Sequence, residues 1–129
     1  QINQNWIWTL SIAPNDDIFI VEGFNERTVY RSTDDGLNWI PEGKVNFSSN
    51  SWGGKQLVIN SQGDLFITTG SVGVARSTDN GKTWTQINKG LKYPFTLCLA
   101  INSNGYLFAG TLYDQTKGEV FKSIKSTIE

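Results

Sequence analysis

Hydrophobic and polar residues alternate along most of this chain, in short runs that are rich in β-branched and aromatic side chains. Examples are residues 17–22 (DIFIVE), 64–69 (DLFITT) and 96–101 (TLCLAI), and polar segments that often contain glycine separate such runs. A period of two residues is typical of half-buried β-strands joined by turns. No stretch combines a period of 3.6 residues with helix-capping residues, so the pattern predicts an all-β protein with essentially no helix.

Two sequence segments recur along the chain and divide it into units. Residues 31–39 (RSTDDGLNW) return as residues 76–84 (RSTDNGKTW), 45 positions later. The segment 13–20 (APNDDIFI) is matched by 60–67 (NSQGDLFI) and again by 102–109 (NSNGYLFA). Recurrence at this spacing indicates a repeat architecture. The chain is therefore divided into three units, approximately residues 6–42, 55–88 and 96–129.

Each unit is predicted to contain four short strands, A to D, with a polar turn between A and B and a glycine-bearing loop between B and C. In the third unit, Ser123 is followed by residues 124–129 (IKSTIE), which lack the Asp, Gly and Trp found after Ser32 and Ser77. Strand D is therefore expected to be missing from the third unit. The predicted strands are A at Trp6–Ile12, Lys55–Ile59 and Thr96–Ile101; B at Asp17–Glu22, Asp64–Thr69 and Tyr106–Thr111; C at Val29–Ser32, Val74–Ser77 and Glu119–Ser123; and D at Asn38–Pro41 and Thr83–Ile87.

The recurring box has the spacing Ser-x-Asp-x-Gly-x-x-Trp, and local chemistry explains it. Ser and Asp side chains accept hydrogen bonds from backbone N–H groups a few residues away, which closes a turn. Glycine adopts a positive φ without steric cost, and the tryptophan then enters a strand and buries a large ring. The pair Asp34 and Asp35 lacks the further oxygen ligands that calcium needs, so we predict no metal and no cofactor. We interpret these box residues as structural: Ser32, Asp34, Gly36, Trp39, Ser77, Asp79, Gly81 and Trp84.

The two boxes resemble Asp-box repeats, also called bacterial neuraminidase repeats, and the whole chain is similar to tandem units of secreted bacterial Asp-box β-propellers. The resemblance implies an all-β fold of about three four-stranded antiparallel propeller blades, the last incomplete. Three blades do not close a ring, since propellers usually have 4–8 blades. We therefore expect part of a propeller, completed either by self-association or by the remaining blades of a larger propeller. The resemblance does not fix a function, because Asp-box propellers include sialidases, xyloglucan-type endoglucanases, photosystem assembly factors, sorting receptors and uncharacterised surface proteins.

Composition removes several kinds of chemistry. The 129 residues include no His and one Cys, which excludes histidine-dependent triads, histidine metal ligands and an internal disulfide. The net charge of −1 and the absence of a long apolar run predict no nucleic-acid partner and no membrane insertion. Residues 1–50 carry a net charge of −4 and residues 51–129 a net charge of +3, a gradient that we interpret as ordinary surface variation. Cys98 lies in an apolar run, so we expect it to be a small buried hydrophobic residue.

Candidate binding residues lie in the longer loops. In an antiparallel four-stranded unit, the B–C and D–A loops share the end opposite the boxes, and function on repeat scaffolds usually resides in such loops. Trp52 stands outside any box, and it fits either a stacking platform for a sugar ring or a hydrophobic plug over the mouth of a ring. The candidate binding residues are Trp52, Tyr93, Tyr113, Glu26, Arg27 and Asp114.

These observations leave three functional hypotheses. The first is a non-catalytic propeller module of a secreted or surface bacterial protein that binds a glycan or a protein. The second is a sialidase-like or glucanase-like glycoside hydrolase fragment, which would need two carboxylates flanking the scissile bond. The third is a purely structural repeat scaffold. The carboxylates considered for the hydrolase are Glu22, Glu26, Asp114 and Glu119, and none of them forms a recognisable pair in the sequence.

Overall fold

The computed structural model describes residues 6–23, 26–46 and 56–128, and within these ranges it contains eleven strands and no helix. The predicted all-β fold is therefore confirmed for this part of the chain. The strands are β1 (Ile7–Ile12), β2 (Ile18–Glu22), β3 (Arg27–Ser32), β4 (Ile40–Val45), β5 (Leu57–Ile59), β6 (Leu65–Thr68), β7 (Val74–Ser77), β8 (Thr85–Gln86), β9 (Thr96–Ile101), β10 (Leu107–Leu112) and β11 (Gly118–Lys122).

The strands form three separate antiparallel sheets in chain order. The first sheet has the order β1-β2-β3-β4, the second β5-β6-β7-β8, and the third β9-β10-β11. Every neighbouring pair is antiparallel, so each sheet is a simple meander joined by short connections. The third sheet has three strands in the described part of the chain, as expected from the missing box after Ser123.

Several predicted strand boundaries are wrong, and the reasons are local. Strand β4 starts at Ile40 instead of Asn38 because the side chain of Asp34 binds the backbone N–H of Asn38, which keeps residue 38 in the turn. Strand β3 starts at Arg27, two residues before the predicted Val29, because Arg27 and Thr28 also pair with residues of β4. The predicted strand at Thr83–Ile87 also starts later, at Thr85, because Asp79 binds the backbone N–H of Thr83, and it ends at Gln86.

The three sheets pack face to face, with the second sheet in the middle. One core lies between the first and second sheets and includes Phe19 and Val29 from one side and Leu65 from the other. A second core lies between the second and third sheets and includes Phe66 and Leu107. The second sheet is therefore buried on both faces, whereas each outer sheet has one face covered by another described sheet.

The expectation for Cys98 is wrong, because the thiol is exposed. Cys98 lies opposite Gly110 in the pairing of β9 with β10, and its side chain occupies the space above that glycine. This face of the third sheet also carries Val120, and no described sheet packs against it. The apolar run around Cys98 predicted a buried side chain, but the third sheet is an outer sheet, and among the described residues only the opposite face of this sheet is covered by another sheet.

Candidate functional site

The two boxes form the same hydrogen-bonded turn at the C–D end of the first and second sheets. In the first box, residues 32–39, Ser32 Oγ accepts from the backbone N–H of Gly36 at 2.9 Å, and Asp34 Oδ1 accepts from that of Asn38 at 2.8 Å. The glycine has φ = +83°, and Asp35 before it has φ = +56°. In this box the serine and aspartate side chains therefore accept from backbone N–H groups four residues further on, and the glycine has a positive φ.

The second box, residues 77–84, repeats this network and adds a contact with the first sheet. Ser77 Oγ accepts from the Gly81 N–H at 2.8 Å, and Asp79 Oδ1 accepts from the Thr83 N–H at 2.9 Å. Hydrogen bonds that the Asp79 carboxylate accepts, first from the Thr83 hydroxyl and then from the Thr83 N–H and the Ser77 hydroxyl, lower the pKa of Asp79 from 3.8 to about 2. Trp84 packs against the core between the first and second sheets.

An aromatic cluster lies at the opposite, loop-bearing end of the third sheet. Tyr93 belongs to the connection that leads into β9, and Tyr113 follows β10 in the turn that leads to β11. Their ring centroids lie 4.5 Å apart, and the Tyr93 ring is also 6.3 Å from that of Phe121. Tyr113 is 54% exposed, so the cluster presents a ring to solvent while its neighbours fix the position of that ring. The structure thus brings together two of the candidate binding residues.

Charged groups surround this cluster. The Lys92 Nζ atom lies 5.0 Å from the centroid of the Tyr93 ring, and a hydrogen bond with the Tyr93 hydroxyl raises the pKa of Lys92. Asp114 follows Tyr113 directly, and its carboxylate accepts from the N–H of Thr116 at 2.7 Å and from its hydroxyl at 2.8 Å. These bonds lower the pKa of Asp114, so it is ionised at neutral pH with part of its hydrogen-bonding capacity already used. The site therefore offers an exposed ring, a carboxylate and an ammonium group at one edge.

Glu26 and Arg27 lie at the loop-bearing end of the first sheet and differ in exposure. Glu26 is exposed and forms an ion pair with Lys44, which lowers the pKa of Glu26. Arg27 lies in β3 and not in a loop, and it is only 3% exposed. Its Nη1 atom has no hydrogen-bond partner among the described residues, and burial lowers the pKa of Arg27. A buried guanidinium cannot contact an external ligand without a rearrangement, so Arg27 is unsuited to the predicted binding role.

Further residues at these ends were not predicted as site residues. Phe121 and Lys92 complete the Tyr93 cluster, but they are 29 positions apart in the sequence and no motif links them. At the first sheet, Trp6 is exposed and its ring meets that of Trp8 edge-on at 5.5 Å. Trp52, the most prominent candidate in the sequence, lies outside the described residues.

The carboxylates considered for glycoside hydrolysis belong to two different sheets. Glu22 is buried in β2 and accepts a hydrogen bond from the Tyr30 hydroxyl, whereas Glu26 is held by Lys44. Asp114 and Glu119 belong to the third sheet and its turn. Within residues 6–23, 26–46 and 56–128, no group of three or more Cys, Asp or Glu side chains is arranged to hold a metal ion. The described residues also contain no helix long and apolar enough to cross a membrane.

No model of a known protein family matches the chain, and no curated protein matches it.

Proposed function

We propose that this chain is a non-catalytic β-propeller module of a secreted or surface bacterial protein, and that it binds a glycan or a protein partner through its B–C and D–A loops. In this proposal the three sheets are Asp-box blades, the third without its outer strand. The observation that carries the binding role is the Tyr93–Tyr113 pair, because an exposed ring is held in place at the end of the molecule opposite the boxes.

The chemistry of the cluster favours a sugar as the ligand. The apolar face of a pyranose ring stacks on an aromatic side chain, and neighbouring polar groups hydrogen-bond its hydroxyls. Tyr113 supplies the ring, and the adjacent Asp114 supplies an acceptor. Since Tyr93 packs against the Tyr113 ring, little conformational entropy would be lost on binding. A protein partner would use the same exposed ring as an anchor.

The two alternatives are a glycoside hydrolase fragment and a purely structural repeat scaffold. A glycoside hydrolase needs a carboxylate pair that is free to act on the substrate. Glu22 is buried under the Tyr30 hydroxyl, and Glu26 is engaged by Lys44. A structural scaffold without a ligand would not require an exposed, positioned ring such as that of Tyr113.

The test compares Tyr113→Ala with Tyr106→Ala for retention on panels of immobilised glycans and of surface-exposed bacterial proteins. Tyr106 precedes the same strand, β10, at its opposite end, where the ring lies under Lys122 Nζ at 3.9 Å from its centroid. We expect Tyr113→Ala to weaken binding at least about tenfold, or about 1.4 kcal/mol, and Tyr106→Ala to leave it unchanged. Equal binding by both variants would reject the site, and the absence of any ligand would favour the scaffold. Release of a chromogenic sugar that Glu26→Gln abolishes would favour the hydrolase.

A further inference from the structure

The pairing registers allow equivalent positions in the three sheets to be compared directly. Leu57 pairs with Ile67 in the second sheet, as Leu10 pairs with Ile20 in the first and Leu99 with Ala109 in the third. We call the face that carries these residues the aliphatic face of each sheet. We call the opposite face the phenylalanine face. It carries Phe19 and Val29 in the first sheet, Phe66 and Val74 in the second, and Phe108 and Val120 in the third.

Both contacts between sheets join an aliphatic face to a phenylalanine face. The aliphatic face of the second sheet, with Leu57, packs on the phenylalanine face of the first, with Phe19 and Val29. The aliphatic face of the third sheet, with Leu99, packs in the same way on Phe66 of the second. The chain thus uses one kind of sheet-to-sheet contact twice.

The exposure of equivalent residues shows which face of each outer sheet is not covered by another described sheet. Leu57 and Leu99 are 2% and 4% exposed, whereas the equivalent Leu10 of the first sheet is 58% exposed. Val29 and Val74 are 0% and 3% exposed, whereas the equivalent Val120 of the third sheet is 75% exposed. On the aliphatic face of the first sheet, Leu10 and Ile12 of the edge strand are 58% and 60% exposed, although Ile20 and Tyr30 on the same face are buried, and the third sheet has an exposed phenylalanine face. These are the two sides that the chain brings together internally.

We propose that a second copy of this chain covers these faces, with the aliphatic face of the first sheet in one copy packed on the phenylalanine face of the third sheet in the other. Charge supports this occupant. The charge gradient, interpreted from the sequence alone as ordinary surface variation, falls on the two outer sheets: residues 6–46 carry seven acidic and three basic side chains, and residues 89–128 carry five basic and two acidic ones. The proposal does not depend on the glycan site, because it uses sheet faces and not loops.

Buried area favours two copies that touch at both ends over an open chain of copies. The smaller of the two faces, on the third sheet, has three strands spaced about 4.8 Å apart with about five residues each, and covers about 240 Å² in projection. One contact limited by this face buries about 500 Å², the size of a crystal-packing contact, whereas two contacts bury about 1,000 Å², the lower limit for a biological interface. The contact joins two different surfaces, so a closed pair needs both contacts at once.

The test measures the mass of the 129-residue chain by sedimentation over a range of concentrations. We expect a species of twice the 14.4 kDa monomer, and we expect Leu10→Asp and Val120→Asp each to abolish it. Both residues are already exposed in a single copy, so the monomer should remain folded, which circular dichroism and urea unfolding would verify. The control is Ile124→Asp, because Ile124 is 80% exposed but lies outside the strands of either face.

Mixing the two disruptive variants distinguishes this arrangement from other dimers. Leu10→Asp keeps an intact phenylalanine face and Val120→Asp keeps an intact aliphatic face, so the mixture can form one complete contact. Cross-linking should capture mixed dimers at high concentration and no dimers of either variant alone. In the wild type, Cys98 lies on the phenylalanine face, so its reaction with a maleimide should slow as the concentration rises.

Three results would overturn the proposal. The first is a wild-type chain that stays monomeric at every concentration. The second is a dimer that only one of the two variants disrupts, since a self-complementary contact would behave in this way. The third is an absence of mixed dimers. None of these results depends on whether the loops bind a glycan.

Discussion

A substitution at two equivalent leucines tests how the sheets are held together. Leu57 in β5 and Leu10 in β1 occupy the same position of their sheets and pair with equivalent isoleucines. Leu57 lies in the core between the first and second sheets, whereas Leu10 lies on a face that no described sheet covers. The changes Leu57→Ala and Leu10→Ala remove the same atoms from the same strand position. They therefore differ mainly in what covers those atoms.

The expected loss of stability follows from burial. Leu57→Ala removes a fully buried side chain from a packed core, which typically costs about 2–5 kcal/mol, so we expect about 3 kcal/mol. About two fifths of the Leu10 side chain is covered, and burial of a whole leucine is worth about 1.5–3 kcal/mol, so Leu10→Ala should cost about 1 kcal/mol or less. The difference between the two variants should therefore be about 2 kcal/mol.

Urea denaturation followed by tryptophan fluorescence measures this difference. The experiment is run at low chain concentration, because self-association through the Leu10 face would stabilise the wild type by mass action. Equal losses in the two variants would refute the assigned packing order of the sheets. A larger loss for Leu10→Ala than for Leu57→Ala at low concentration would refute it as well.

Two further predictions concern the boxes. A Cβ atom added at Gly81 would lie 2.8 Å from Val29 Cγ1, whereas one added at Gly36 meets nothing closer than 3.7 Å, and both residues have positive φ. Backbone strain should therefore lower the stability of both alanine variants by about 1–2 kcal/mol, and steric overlap should lower that of Gly81→Ala by a further about 1–3 kcal/mol. Urea unfolding measures both losses. Equal losses would contradict the packing of Gly81 against Val29. Because the native pKa of Asp79 is lowered from 3.8 to about 2, its contribution to stability is present above pH 3.8 and is lost as the pH falls towards 2. Asp79→Asn should remove this part of the acid-induced loss in unfolding titrations, and an unchanged pH profile would show that the carboxylate does not contribute.

Much of the fold could be predicted from the sequence because its determinants are local. The alternation of apolar residues predicted strands, and the Ser-x-Asp-x-Gly spacing predicted turns whose hydrogen bonds span four residues. Ser32 to Gly36 and Asp34 to Asn38 are such bonds, and the second box repeats them. In the described part of the chain the third sheet has three strands, as the missing box predicted. Strand ends were less predictable, since the box holds residue 38 in the turn while cross-strand pairing extends β3 to Arg27.

The candidate site was predictable only in part. Loop position and residue type singled out Tyr93 and Tyr113, but their contact joins residues 20 positions apart and depends on how the connection to β9 folds back over β11. Arg27 shows the opposite case. Its residue type and its place next to a loop indicated a binding role, yet strand pairing carries it into the interior.

The sequence by itself determined the strands, the box turns and the threefold recurrence, because each depends on residues close together in the chain. Only the tertiary structure decided which face of each strand is covered, since that depends on contacts between residues of different sheets, such as Phe19 and Leu65 in one core and Phe66 and Leu107 in the other. Leu10, Leu57 and Leu99 occupy equivalent positions in the first strand of each sheet, yet Leu10 is exposed and the other two leucines are buried. The repeated sequence determines which two faces of a sheet can pack against neighbouring sheets. The position of the sheet in the stack decides which of these faces is covered by another described sheet.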